Sequence, residues 1–195
     1  IGYCAFEGCS SLSRITIPDS VTAIEVGAFG DCTSLTNAGI GNGVTNIGDE
    51  AFAGCSRLIE ITASYGNSAY SSSNGVLFNK DLTTLVQCPG GWTGVYAVPD
   101  SVTHIGSGAF RGCNQLSSVH IPDSVLNIGI RAFGACSSLT NAIIGNGVTN
   151  IGSGAFSGCN QLVSIHIPDS VMNIGEYAFE ACSGLTNAVI GNNVT

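Results

Sequence analysis

The residues best suited to chemistry in this 195-residue chain are its nine cysteines and three histidines. Seven of the cysteines, Cys9, Cys32, Cys55, Cys113, Cys136, Cys159 and Cys182, stand 23 residues apart, with a single step of 58 between Cys55 and Cys113. A cysteine count of this kind suggests a disulfide framework in a short secreted chain. The constant spacing argues for one sulfur per structural unit, each stacked over its equivalent in the next unit as a small buried hydrophobe. Stacked strands lie about 4.8 Å apart, within reach of a disulfide, but parallel Cβ vectors make its torsion awkward, so free thiols are expected. No Cys-x-x-Cys and no nearby His completes a zinc set, and no metal is expected. His120 and His166 fall two units apart, roughly 9–10 Å at strand spacing, with Ile143 between them, too far to share one ion directly. Serine is abundant, yet no G-x-S-x-G setting supplies a nucleophile. Asp49-Glu50 and the pair Glu176 and Glu180 read as solvated surface, and no G-x-G-x-x-G or G-x-x-x-x-G-K segment offers a phosphate cradle. The sequence therefore gives an enzyme no candidate residues and calls for no cofactor.

The elements that would position these residues are repeats. Ala-Phe-x-x-Cys-x-x-Leu, as in Ala51-Phe52-Ala53-Gly54-Cys55-Ser56-Arg57-Leu58, returns with the same spacing, placing phenylalanines at 6, 29, 52, 110, 133, 156 and 179. A period in this range marks a solenoid whose units bury their apolar faces only by stacking. After each Cys comes L-x-x-[I/V/A]-x-I, as in Leu162-Val163-Ser164-Ile165-His166-Ile167, a strand pattern that alternates inward and outward side chains. A corner follows in two versions. Pro-Asp-Ser begins at Pro18, Pro122 and Pro168, and Gly-Asn-Gly or Gly-Asn-Asn begins at Gly41, Gly145 and Gly191, so the array has a 46-residue super-repeat. Both versions suit a tight turn. Alternation keeps Asp19, Asp123 and Asp169 from forming a continuous acidic column, and one carboxylate per coil makes a poor calcium cage. V-x-x-I-G then gives a second, shorter extended segment, and Ala-Phe-x-x-Cys is expected to form one helical or 3₁₀ turn.

The step of 58 is the one departure. Aligning Pro99-Asp100-Ser101 with the later corners restores register and leaves an irregular insertion at about 63–96. Tyr65 to Gly75 reads as loop, Val76-Leu77-Phe78 and Leu82 to Val86 as two strands around Asn79-Lys80-Asp81, and Gly90 to Gly94 as a second loop holding the only Trp, Trp92. Both chain ends fall inside a repeat, so the expectation is one solenoid over 1–195, truncated at both ends.

Together, Ala-Phe-x-x-Cys-x-x-Leu, the Ile-Pro-Asp-Ser-Val turn and the insertion Asn-Gly-Val-Leu-Phe-Asn-Lys-Asp followed by Thr-Thr-Leu resemble the BspA-like leucine-rich repeats over essentially the whole chain. The resemblance implies a repeat solenoid, a β-rich α/β right-handed superhelix with a parallel sheet on one face and short helical or 3₁₀ turns. It also implies a secreted or surface-exposed, extracellular protein engaged in adhesion and protein recognition. Gly-Asn-Gly corners depart from the family's usual Pro-Asp-Ser or Pro-Asn-Ser.

Composition narrows the partners. Hydrophobic residues make up 44% and charged residues 9%, with net charge −8 and only five Lys and Arg. Nucleic acid and anionic membrane surfaces both need clustered cations and are excluded as expected partners. Apolar runs are far shorter than the ~18 residues of a membrane span, and the first residues have no signal-peptide character. A protein ligand remains, of the host or matrix kind under the resemblance. The pattern puts two columns on the open sheet face: Thr16, Gly39, Thr62, Ala97, His120, Ile143, His166 and Val189, beside Arg14, Asn37, Glu60, Val95, Ser118, Asn141, Ser164 and Asn187. From these, Thr16, Asn37, Thr62, His120, Asn141, Ile143, His166 and Asn187 are the candidate ligand-binding residues. The two histidines read as a weakly pH-sensitive contact patch or, the favoured alternative, as solvated side chains copied with the repeat. Tyr70 and Trp92 of the insertion are further candidates, for a carbohydrate or protein hot spot, against the simpler reading that insertion aromatics cover an enlarged core. A structural spacer that self-associates end to end, and a carbohydrate-binding module, stand as alternatives to recognition of a protein.

Overall fold

The computed structural model describes residues 1–195 as strands, turns and corners, without a helix. The L-x-x-[I/V/A]-x-I segments become β1 (Arg14–Ile17), β3 (Asn37–Ile40) and β5 (Glu60–Ala63), and later β11 (Leu116–Ile121), β13 (Asn141–Ile144), β15 (Ser164–Ile167) and β17 (Asn187–Ile190). Pairing is parallel and in 23-residue register, Thr16 opposite Gly39 opposite Thr62, and His120 opposite Ile143. Pairing thus reproduces the expected column in three runs, Thr16–Gly39–Thr62, Ala97–His120–Ile143 and His166–Val189. Short second strands, β2 (Ala23–Ile24) with β4 (Asn46–Ile47), and β10 (His104–Ile105), β12 (Asn127–Ile128), β14 (Asn150–Ile151) and β16 (Asn173–Ile174), form the opposite wall.

Between the walls run columns of Phe, Leu, Ile, Val and Cys. Phe29, Phe52, Phe110, Phe133 and Phe156 are fully buried, and rings stack at 4.7–5.4 Å in two separate runs, Phe6 to Phe52 and Phe110 to Phe179. Stacking of like on like is what a one-dimensional core requires, since each coil touches only its neighbours.

The Ala-Phe-x-x-Cys segment is a run of turns, and the expected helical turn is corrected here. Its amides alternate. Phe29 N donates to Ala51 O and Asp31 N to Ala53 O in the next coil, while Ala28 N and Gly30 N close four-residue turns on Glu25 O and Gly27 O. Two residues per coil hold a left-handed backbone: Gly27 and Asp31 (φ 64° and 54°) and, three coils of the array further on, Arg131 and Ala135 (49° and 56°). A right-handed helix cannot accommodate two such residues four apart.

Corners interlock through the super-repeat. Asp19 Oδ1 accepts from Asn42 N, Asp123 Oδ1 from Asn146 N and Asp169 Oδ1 from Asn192 N, at 2.6, 2.6 and 2.7 Å. The carboxylates of Asp19, Asp123 and Asp169 therefore cap the Gly-Asn corners above them, while Asp100, followed one coil on by Pro122-Asp123, has no such corner to cap. A Cβ on Gly43 or Gly147 would run into the carbonyl oxygen of Asp19 or Asp123, which explains why glycine holds those positions.

The insertion divides the array into two blocks with separate apolar clusters, one around Phe29 and Phe52 and one around Phe110 to Phe156. Three antiparallel strands carry it: β6 (Tyr70–Ser73), β7 (Val76–Asn79) and β8 (Thr84–Gln87). The segment read as a loop thus contains a strand, and Asn74-Gly75, both at positive φ (50° and 80°), is the hairpin turn between β6 and β7. β8 then pairs in parallel with β10 and takes the place of a second strand. β9 (Gly94–Ala97) begins the second block's main sheet beside β11.

Candidate functional site

Thr16 on β1 and Thr62 on β5 flank Gly39 on the exposed face of the first sheet. Asn37 lies between Arg14 and Glu60, and its Nδ2 donates to Glu60 Oε1 at 2.6 Å. This part of the face carries formal charge. The face of the second block, formed by the sheet of β9, β11 and β13 and the adjoining pair β15 and β17, differs. β9, β11, β13, β15 and β17 contain no Asp, Glu, Lys or Arg. Exposed on it are His120, Ile143, His166 and Val189 in one column and Val95, Asn141, Ser164 and Asn187 in the next. Val95 is 66% exposed, Ile143 49% and Val189 47%, with Val163, just before β15, at 52%.

The face is not continuous. Ile61 N donates to Gly75 O and Ala63 N to Ser72 Oγ, so the β6–β7 hairpin covers the free edge of β5 and separates Thr62 from Ala97. Thr16, Asn37 and Thr62 are therefore one group, and His120, Asn141, Ile143, His166 and Asn187 another.

Tyr70 and Trp92 belong to neither. Tyr70 is half-buried against the first cluster, and its hydroxyl oxygen accepts from Ile47 N at 2.7 Å, capping the free edge of β4. Burial pushes its phenol above the ordinary range. Trp92 packs on the second cluster, edge-on to Tyr96 at 4.9 Å, and Tyr96 in turn meets Phe110 at 5.3 Å. The Trp–Tyr pair caps the second phenylalanine column. Tyr65, by contrast, is fully exposed, beside an open hollow of about 410 Å³ lined by Tyr65, Tyr70, Ser71, Ser72 and Lys80.

The thiol column is buried from Cys32 to Cys159 as the spacing implies, but Cys9 is exposed and Cys182 partly so at the two end coils. Each of Cys32, Cys55, Cys136, Cys159 and Cys182 donates its Sγ–H to the Phe carbonyl of the preceding coil at 3.1–3.2 Å. Desolvation pushes the Cys55 and Cys159 thiols up to about 12. A nucleophilic cysteine needs the opposite shift, so these are packing groups.

Two features escaped the sequence. Asn67, fully buried, donates to Gly41 O and Val44 O and accepts from Ala69 N and Tyr70 N, all within 2.9 Å. Its four bonds replace a missing corner, and nothing in a Ser- and Asn-rich stretch distinguishes it beforehand. The second is an ion cluster where the blocks meet. Arg111 lies 3.8 Å from Asp31 and 3.7 Å from Glu50, and Arg131 lies 3.7 Å from Glu50. There Gly54 N also donates directly to Arg111 O, so the turn side steps from the first block to the second without the insertion between. No helix is long and apolar enough to cross a membrane.

The model of the BspA type leucine rich repeat region matches six copies over residues 1–89 and 95–195. The chain belongs to the BspA-type leucine-rich repeat family. No curated protein sequence matches it. Among solved structures, this BspA-type array is similar to the pneumococcal vaccine antigen PcpA (TM-score 0.82, 24% identity), over 93% of this chain and 51% of that one. It is also similar to a leucine rich cell surface protein from Faecalibacterium prausnitzii (0.68, 29%, over 95% and 62%) and to a leucine-rich repeat protein from Eubacterium ventriosum (0.61, 20%, over 98% and 70%). The chain spans about half the length of the first and less than two thirds of the second. The BspA-type fold therefore stands on motif, register and shape together.

Proposed function

We propose that this BspA-type array is a non-enzymatic protein-recognition module of a surface or secreted protein, its two blocks acting as one solenoid, and that contact is made by the open sheet face of the second block. One observation carries the reading. In a chain of net charge −8, the five strands of that face hold no charged residue, while Val95, Ile143 and Val189 stand about half to two-thirds exposed. Apolar groups rimmed by Asn141, Ser164 and Asn187 match the make-up of interface cores, from which charge is depleted. The description of the Faecalibacterium relative as a cell surface protein supports the location.

A binding screen against extracellular-matrix proteins, run beside a variant carrying His120→Glu, Ile143→Glu and His166→Glu, tests this. A ligand held by the parent and lost by the variant is the expected result. A ligand held equally by both would remove the open face from the reading. A second reading, carbohydrate binding, draws on the exposed Tyr65 beside the open hollow in the insertion. Glycan-array signal lost on Tyr65→Ala and kept in the open-face variant would favour it. Concentration-dependent light scattering with no ligand in either screen would instead favour a self-associating spacer.

A further inference from the structure

We propose that Cys88 and Cys113 are a disulfide site, oxidised by a low-molecular-weight disulfide such as oxidised glutathione, and that the bond staples the insertion to the second block. Cys88 is buried and stands outside the 23-residue ladder, 25 residues before Cys113. In the other buried coils the cysteine donates to a Phe carbonyl at 3.1–3.2 Å. The coil below Cys113 has no Phe at the ladder position. There Cys113 Sγ reaches only Pro89 O, at 3.6 Å, and Cys88 Sγ lies 3.9 Å from that same oxygen. Two sulfurs thus share one acceptor at long range, and the neighbouring Cys88 thiol, with burial, pushes the Cys113 thiol well above its ordinary value. Backbone placement holds them there, since Cys88 N donates to Ala109 O at 2.7 Å. Linking them gives up only weak bonds, whereas linking two ladder cysteines would break good Sγ–H to carbonyl bonds and require a torsion that parallel Cβ vectors oppose.

The chemistry balances as two exchanges. One protein thiolate attacks a sulfur of oxidised glutathione, forming a mixed disulfide and expelling one glutathione thiolate, which takes up the proton released. The second protein thiolate attacks the protein-bound sulfur, forming the Cys88–Cys113 bond and expelling the second glutathione. Both cysteines lose their hydrogens, and one oxidised glutathione becomes two reduced ones. Because both thiols are buried, the exchange takes place during folding or when the insertion opens.

The test is refolding in a glutathione redox buffer, followed by maleimide labelling of the denatured chain and peptide mapping, with a second arm that oxidises the folded protein in sub-denaturing urea before the same labelling. The expected result is a linked Cys88–Cys113 peptide, two hydrogen masses lost, label on seven of the nine cysteines, and a melting temperature that falls on reduction. A Cys88→Ser variant should label all eight remaining thiols. All nine thiols labelled in both arms, or a link between other cysteines in natively folded protein, overturns the assignment.

Discussion

Phe29 N donates to Ala51 O, Phe133 N to Ala155 O and Phe156 N to Ala178 O: in the coils one backbone bond is copied along the array. Over residues 64–97 side chains do this work instead. Asn67 closes a corner with four bonds, Tyr70 and Ser72 cap the amides of Ile47 and Ala63, and Gln87 Nε2 donates to Cys88 O and Ala109 O. Asn67 and Gln87 are the buried residues with polar side chains that the molecule places beside its apolar core, and both lie in the insertion. A buried backbone group left without a partner is destabilising, so a break in periodicity has to be met by polar side chains aimed at particular groups. Regular coils draw stability from apolar burial repeated many times; the irregular coil depends on a few specific contacts.

The largest effect should come from titrating the coils' thiols. Burial raises Cys55 and Cys159 to about 12, against an ordinary value of 9.0, and also raises Cys136. The folded state then holds its protons more tightly than the unfolded chain. The stability this represents is complete below about pH 9 and is lost as pH climbs toward about 12, at roughly 4 kcal/mol for each of the two thiols at the limit. The urea midpoint should therefore be level to about pH 9 and fall steeply above it, less so in a double Cys55→Ala, Cys159→Ala variant. A midpoint that stays level well above pH 9 would mean the thiols meet water in the folded state.

Next in size, Phe133→Ala removes a fully buried ring stacked at 4.7 and 5.0 Å and should destabilise by about 3–5 kcal/mol. Neighbour-only contacts predict local opening. Hydrogen exchange should quicken around Phe110 to Phe156 and stay slow around Phe29, and uniform quickening would contradict two separate clusters. On the insertion side, Asn67→Leu keeps volume but strands two carbonyls and two amides, at about 2–4 kcal/mol. Asn67→Asp sharpens the point, because it keeps the acceptor for Ala69 N and Tyr70 N while turning an oxygen toward Gly41 O and Val44 O. Equal urea midpoints for Asn67→Leu and the parent would show that the corner does not depend on the side chain.

The same contrast explains what the sequence reveals. Strand register, the outward columns and the buried thiols are legible because periodicity repeats each instruction, and the pairing of Arg14, Asn37 and Glu60 follows the predicted spacing. Insertion strands β7 and β8 are visible from their apolar runs. β6 is not, since Tyr70-Ser71-Ser72-Ser73 has the composition of a loop and becomes a strand only against β7, although Asn74-Gly75 is the hairpin signal that would have found it. The break in the open face between Thr62 and Ala97 is likewise invisible, because it depends on where the hairpin docks. Chemistry at Tyr70 and Trp92 was weighed from residue type alone, and contacts with the Ile47 amide and the Tyr96 ring occupy part of each.

Where the blocks meet on the turn side, the ion cluster should contribute little. Arg111 and Arg131 are partly exposed, at 31% and 61%, and their distances to Asp31 and Glu50 are 3.7–3.8 Å. Arg111→Gln should lower stability by about 0.5–1 kcal/mol, with the difference shrinking as salt is added. A salt-independent loss would assign the effect to the packing of the Arg111 stem.

The smallest effect tests the rule that coils copy backbone conformation regardless of residue. Two residues after each Phe the chain is left-handed: φ is 54° at Asp31, 73° at Gly54, 56° at Ala135 and 75° at Gly158. Glycine at some coils hints at this in the sequence, but alanine and aspartate at the same register hide it, which is how a helical turn came to be expected. A left-handed alanine is strained by about 1–2 kcal/mol, while glycine loses about 0.5–1 kcal/mol more chain entropy on folding. Ala135→Gly should therefore stabilise by roughly 0.5 kcal/mol, and Gly158→Ala, one coil further on at φ 75° and with room for the new Cβ, should destabilise by a similar amount. Opposite signs for these mirror-image substitutions, read from urea midpoints, are what a copied backbone requires. If both substitutions destabilise, each coil is relaxing to suit its own residue, and the turn segment would have to be treated as locally set, like the insertion.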